Sequence, residues 1–474
     1  MCNCSSVIIG KKASKTGRVI LGHNEDDENV IASVYIIPHR FHKKSETLSF
    51  EKDKSTIPQA PETYGYFWSE MRSNVQEASF GDTFVNERGV AIASNGCTPS
   101  REANDDRQDG GIGYGIRRLV AERAGTAREG VEIAVELIEK YGYCSSRSYQ
   151  ICDKDEGWAL QIVKGKHYIA KRVPDDEVMF IPNWYTIHGC DFSDTSHQDC
   201  YFSKGLADYA MEHGWYTPAR ENDYGDFNFA GSYQAGGDES YNVLRAKAAW
   251  RLLLGREPEN IKQFSAKPDK KIGVEDVKKI LRYHYEGTED DITDSYSINP
   301  HMDHKHHFAI CNALTQDSCI VEFDEDPALT CILHAMLNPC TSPYVPWYLG
   351  ISRAPGFYGL HSLETAQDTH FAPPEADMEY NSEKIYWTYR TLKRFADADY
   401  KNVHGVIQNS IKDMEAKWND ERRLVHRTYK ELHGKDTAVA IEYLTGYTEK
   451  QAILARDWAE DMTRLLSKRQ RNGV

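Results

Sequence analysis

Short apolar runs separated by turn residues fill the first part of the chain. Residues 6–10 read SVIIG, residues 18–22 read RVILG, and Lys15-Thr16-Gly17 stands between them as a turn. Two such runs around a short turn predict an antiparallel hairpin. Residues 34–38 (VYIIP) predict a third strand. The turn Asn86-Glu87-Arg88-Gly89 leads into another apolar run at residues 90–93. The runs are apolar throughout instead of alternating, which predicts strands covered on both faces.

The period then changes. Thr126 is placed to cap a helix over residues 127–140, with Val131, Ala134, Val135 and Ile138 on one stripe. Strand-like runs return at residues 149–152, 158–163, 167–173 and 178–181, and their short connections predict a meander. Helical patterns follow at residues 241–254 and 274–285, then strand-like stretches at residues 307–311 and 319–323. From residue 376 onward the pattern is helical and charged. This succession predicts sheets layered with helices in one large unit, followed by a helical C-terminal part.

Composition narrows the function. With 474 residues, 40 % of them hydrophobic, the chain can bury a large core. A net charge of -15 and no long basic run argue against a nucleic-acid partner. No apolar stretch approaches the roughly 18 residues of a membrane span, and the N-terminus lacks a signal-peptide layout. A cytoplasmic location is therefore expected. The 11 cysteines, odd in number and without a C-x-x-C pair, read as reduced thiols; Cys152, Cys311 and Cys331 sit in apolar runs as small core residues.

The common zinc-protease, serine-hydrolase, phosphate-loop and dinucleotide signatures are absent. Asp303, His304, His306 and His307 have metal-ligand chemistry, but on a strand they alternate between faces instead of converging. Asp153, Asp155 and Glu156 form a hairpin turn without the spacing of a calcium loop. Tyr64, Tyr66, Phe67 and Trp68 are either core or the lining of a pocket. No metal or other cofactor is expected.

The chemistry concentrates at the start of the chain. Cys4 opens the first strand, and the return strand ends in His23-Asn24-Glu25-Asp26. Hairpin pairing brings Cys4 beside residues 24–26. If the chain is cut before Cys4, that residue carries a thiol and a free α-amine, with ordinary pKa values of about 8.5 and 7.7–8.0. The amine then accepts the thiol proton. Without such a cut, Cys4 is a buried structural thiol.

The run from Cys4 through Gly10-Lys11-Lys12-Ala13-Ser14, followed by Asn24-Glu25-Asp26, resembles the N-terminal signature of the C69 dipeptidases. These are N-terminal-nucleophile hydrolases related to penicillin V acylase and bile salt hydrolase. The likeness continues through residues 127–131, 151–158 and 173–177, Asn183, and residues 344–348. The resemblance implies an α+β fold of the αββα type, two stacked antiparallel sheets between helical layers. It implies a propeptide of residues 1–3 and a catalytic domain from residue 4; the change to a charged helical pattern ends that domain at residue 375 and leaves a helical region over residues 376–474. It makes Cys4 the nucleophile and Asp26 the acid that holds its amine. Asn183 and Asn95 become oxyanion donors, and Arg245 matches a distant active-site arginine. Relatives commonly carry arginine where this chain has His23, at a position implied to bind substrate or stabilise the thiolate; histidine is charged only below about pH 6.5. The implied activity is hydrolysis of small peptides through an acyl-enzyme, with a homo-oligomer possible. Alternatives are a linear amide acylase and a catalytically silent binding relative.

Overall fold

The computed structural model describes residues 4–50, 54–73, 82–101, 107–193, 196–220, 223–236, 240–291, 293, 296–301 and 309–471. The expected cut before Cys4 and the segment holding Asp303, His304, His306 and His307 fall outside these residues.

The strands of the two main sheets are β1 (Ser5–Ile9), β2 (Ile20–Asp26), β3 (Val30–Ile37), β4 (Tyr66–Ser73), β5 (Thr83–Asn86), β6 (Ala91–Gly96) and β7 (Arg147–Cys152). They continue as β8 (Gly157–Ile162), β9 (Tyr168–Arg172), β10 (Val178–Ile181), β11 (Cys200–Phe202), β12 (Thr315–Glu322), β13 (Cys331–Met336) and β14 (Val345–Tyr348). One six-stranded sheet has the order β10-β1-β2-β12-β13-β14, and an eight-stranded sheet has the order β11-β9-β8-β7-β6-β5-β4-β3. Every pairing in both is antiparallel.

The principal helices are α1 (Ile116–Arg123), α2 (Ala127–Tyr141), α3 (Ser240–Leu254), α4 (Val274–Leu281), α5 (Ile385–Ala398), α6 (Tyr400–His433) and α7 (Thr437–Arg471). Thr126 caps α2 as expected, its side chain accepting from the Glu129 N–H.

Three apolar clusters show the layering. Ile8, Leu21, Met71, Val85, Ala93, Ala159 and Val321 fill the space between the sheets. Trp68, Ile92, Tyr149, Ile151 and Trp158 meet α1 and α2 on the outer face of the larger sheet. Val7, Ile9, Ile20, Phe180 and Ile320 meet Ala249, Trp250, Leu253, Val277 and Leu281 of α3 and α4 on the outer face of the smaller one. The order is helix, sheet, sheet, helix. Both faces of each sheet are covered, which explains the continuous apolar runs. Apolar residues of α5–α7 join the cluster between the sheets.

Three local expectations change. The meander ends at β9, because β10 crosses to pair with β1 in the other sheet. Residues 309–311 form no strand: the Cys311 N–H donates to Tyr283 O, and Ile310 O accepts from Asn24, so this apolar run is buried by packing beneath α4. The expected helix over residues 274–285 stops at Leu281, before Tyr285 with φ 71°. Among the cysteines, Cys190 and Cys200 are joined by a disulfide, an exception to the reading of reduced thiols throughout.

Candidate active site

The site is built where β1 begins and β2 ends. Ser5 lies opposite Asn24 and Ser6 opposite His23, so Cys4 and Asp26 meet at the sheet end. The buried Cys4 Sγ is 3.9 Å from Asp26 O. Strand alternation assigns the two faces different work.

On the inner face, Ser6 Oγ sits between Asn95 Oδ1 (2.5 Å), His23 Nδ1 (2.8 Å) and Gln150 Oε1 (3.0 Å). The other ring nitrogen of His23 is 3.1 Å from Glu25 Oε2. These groups are buried between the sheets. The neighbours of His23 are Ser6, on the strand that carries Cys4, and the carboxylate of Glu25.

On the outer face, Asn24 Nδ2 donates to Leu281 O and Ile310 O, at 2.9 and 3.1 Å. Asp26 Oδ2 accepts from Asn312 Nδ2 at 2.5 Å, while the buried Oδ1 accepts no hydrogen bond of ordinary geometry among the described residues. Burial pushes the Asp26 carboxyl well above the usual carboxylate range, against the opposing pull of Thr315, Arg245 and Asn312.

Arg245 reaches the same point from α3. Nη1 donates to Cys4 O at 2.8 Å and to Ser5 Oγ at 3.2 Å. Nη2 donates to Asn183 Oδ1 at 2.8 Å and to Asn242 Oδ1 at 2.6 Å. Burial lowers its pKa, and the negative charges of Asp26 and its neighbours offset part of that. The planar guanidinium therefore ties β1, the segment after β10 and its own helix into one unit.

Asn183 follows β10, and its Nδ2 donates to Gly96 O at 2.9 Å. Asn95, at the end of β6, donates through Nδ2 to Ile181 O (3.2 Å) and Pro182 O (3.0 Å). Both amide hydrogens of Asn95 are thus committed to backbone carbonyls. The side chain holds the segment leading to Asn183 and has none left for an oxyanion.

The structure brings Cys4, Asp26, Asn183 and Arg245 together, with Asn95 and His23 bracing them from between the sheets. Sequence reasoning missed Ser5, Ser6, Asn242 and Asn312. Asn242 carried a signal: with Arg245 it continues the buried stripe Ala246, Ala249, Leu253, so two polar side chains stand on a helix face that is otherwise core. Asn312 carried none. Groups with metal-ligand chemistry lie elsewhere among the described residues: His284, His301, Cys311 and Cys340 form one, and Asp317, Cys319 and His334 another.

A probable dipeptidase of Latilactobacillus sakei is 24% identical over 98% of this chain and 96% of its own length. A dipeptidase of Bifidobacterium longum is 27% identical over 60% of this chain and 59% of its own. Among solved structures, penicillin V acylase from Agrobacterium tumefaciens aligns with a TM-score of 0.33 at 12% identity, covering 70% of this chain and 82% of that one. The model of Peptidase family C69 matches residues 3–413. The chain belongs to peptidase family C69.

Proposed function

We propose that this peptidase is a dipeptidase in which Cys4, freed at its α-amine, attacks the scissile carbonyl. The observation that carries the reading is the meeting, at the end of one hairpin, of the Cys4 thiol with the backbone carbonyl of Asp26, whose side chain is buried there. Removal of residues 1–3 would place an ammonium group at this strand end, where Asp26 can hold it. Dipeptidases among the relatives supply the substrate class.

The chemistry follows from the parts. The amine accepts the thiol proton, directly or through water, and the thiolate adds to the carbonyl. Asn183 keeps one amide hydrogen beyond its bond to Gly96 O, and this hydrogen with a backbone N–H meets the developing oxyanion. The protonated amine then delivers its proton to the leaving amine. Water attacks the thioester, the amine again taking a proton, and the acid departs. Arg245 fixes the Cys4 carbonyl and Asn183 in register throughout.

N-terminal sequencing of active enzyme, combined with a panel of dipeptides and N-acyl amides, tests this. The first cycles should read cysteine, serine, serine, valine, and dipeptides should be cleaved in preference to N-acyl amides. Cys4→Ala should lose turnover by about 10⁴-fold or more with its circular dichroism unchanged. Activity within a few-fold of wild type would remove Cys4 as nucleophile. A chain starting at Cys2 would mean the register is wrong, and cleavage of acyl amides alone would make the enzyme an acylase.

A further inference from the structure

We propose that His284, His301, Cys311 and Cys340 form a structural zinc site separate from the hydrolytic centre. The four are buried, and their ligand atoms all lie within 4.8 Å of one another. The separations match a tetrahedral ion. Thiolates bound at about 2.3 Å and imidazoles at about 2.0 Å from one zinc stand about 3.8 Å sulfur to sulfur and about 3.5 Å nitrogen to sulfur. Cys311 Sγ is 3.5 Å from Cys340 Sγ. His301 Nε2 is 3.1 Å from Cys340 Sγ and 3.9 Å from Cys311 Sγ. A disulfide would need about 2.05 Å between the sulfurs.

The surroundings point the same way. His301 Nδ1 is 2.6 Å from Asp397 Oδ1, and His284 Nδ1 is 2.9 Å from Glu286 Oε1. Each carboxylate holds the outer ring nitrogen and turns Nε2 inward, the arrangement that orients histidine ligands around a metal. Among the described residues the buried Nε2 of His284 completes no hydrogen bond of ordinary geometry, and the group it acts on is the Cys311 thiol. Asn338 Nδ2 donates to Cys311 Sγ at 3.4 Å, as to a sulfur carrying negative charge. Two thiolates and two imidazoles suit zinc and exclude magnesium and calcium. Binding releases the two thiol protons to solvent and leaves a neutral centre.

Four protein ligands close the tetrahedron, so no position is open for substrate or water. The role that remains is structural. Cys311 directly precedes Asn312, whose amide holds Asp26. His284 follows α4, Cys340 follows β13, and Asp397 belongs to α5. Zinc here would clamp the segment behind Asp26 to the C-terminal helices. The other cluster is weaker: its His334 Nε2 is already in contact with the Asp317 carboxylate, and it offers three ligands.

The test uses the full chain without a histidine tag, purified under reducing conditions. Elemental analysis should find about one zinc per chain, and replacement by cobalt should give the intense thiolate-to-cobalt and tetrahedral d–d bands of an S₂N₂ site. The double variant C311S/C340S should lose at least about nine-tenths of the metal, whereas the triple variant H304A/H306A/H307A should keep it. Three results would overturn the proposal. One is wild-type chain that holds no zinc or cobalt after incubation with either, its thiols shown free by titration. Another is a Cys311–Cys340 disulfide in the chain as isolated. The third is full zinc retention in C311S/C340S. The cobalt spectrum is read on wild type, so it decides even if the double variant fails to fold.

Discussion

Lysine in place of Arg245 keeps the charge but not the shape. A lysine ammonium cannot reach Cys4 O, Ser5 Oγ, Asn183 Oδ1 and Asn242 Oδ1 together, as the guanidinium does. Hydrogen bonds to charged groups contribute about 1.5–3 kcal/mol each, and at least one is lost. Arg245→Lys should therefore lower kcat/KM by about 10²-fold and reduce the melting temperature. Steady-state kinetics on a dipeptide with parallel thermal melts would show it; wild-type values for both would mean that the clamp is dispensable. At this scale the sequence was uneven. Cys4 and Asp26 are joined by a local hairpin, so their meeting follows from pairing alone. Arg245 and Asn183 approach from a distant helix and a sheet crossover, and only family likeness pointed to them. The geometry of Asn95 depends on where β10 runs, which local pattern does not contain.

Elements were legible where their pattern is local and illegible where sheets exchange strands. Residues 178–181 look the same in a meander as in a crossover, because both sheets are antiparallel and covered on both faces. The contact between the larger sheet and its flank was equally hidden. His370, just after the helix Leu363–Thr369, lies between Glu70 (3.0 Å) of β4 and Asp82 (2.7 Å). Arg72 and Arg117 face the same two acids. Burial works against protonation of His370, but Asp82 and Glu70 outweigh it and raise the pKa from 6.5 to about 9. A histidine raised in the folded state stabilises fully below its unfolded pKa, and that contribution disappears as pH rises through the folded value. Stability should fall by about 3 kcal/mol between pH 6.5 and 9 from this group alone. Denaturant titrations of wild type and His370→Gln across that window check the sign: the two curves should converge as pH rises. A constant gap would mean that His370 does not titrate there.

For the whole molecule, the question is what binds the C-terminal helices to the catalytic layers. The charged, helical pattern after residue 376 was plain in the sequence, but its docking was not, since it depends on a few buried contacts far apart in the chain. Glu415 of α6 supplies the clearest. Its Oε1 accepts from Arg282 Nη2 at 2.6 Å and from the Tyr344 N–H at 2.7 Å, and its Oε2 accepts from Lys278 Nζ at 3.1 Å. Lys278 belongs to α4 and Arg282 directly follows it, so this one carboxylate joins α6 to the outer helical layer of the smaller sheet. Burial opposes ionisation of Glu415, yet Arg282 and Lys278 hold its pKa below the ordinary value. A lowered carboxylate stabilises above its unfolded pKa and loses that contribution as pH falls through the folded one. Glu415→Gln keeps the shape and the Tyr344 contact but takes the counter-charge from the half-buried Arg282 and leaves the buried Lys278 with only the exposed Glu275, 2.8 Å away. Removing one partner of a buried pair costs about 3–5 kcal/mol. The variant should melt lower at pH 7, with α6 and α7 becoming susceptible to limited proteolysis while the catalytic layers resist. The difference from wild type should shrink as pH falls below the ordinary glutamate value of about 4.3, where the unfolded chain begins to take up the proton, and continue to shrink down to the lowered folded value. An unchanged melting temperature and cleavage pattern at pH 7 would show that the helices are held by their apolar faces alone.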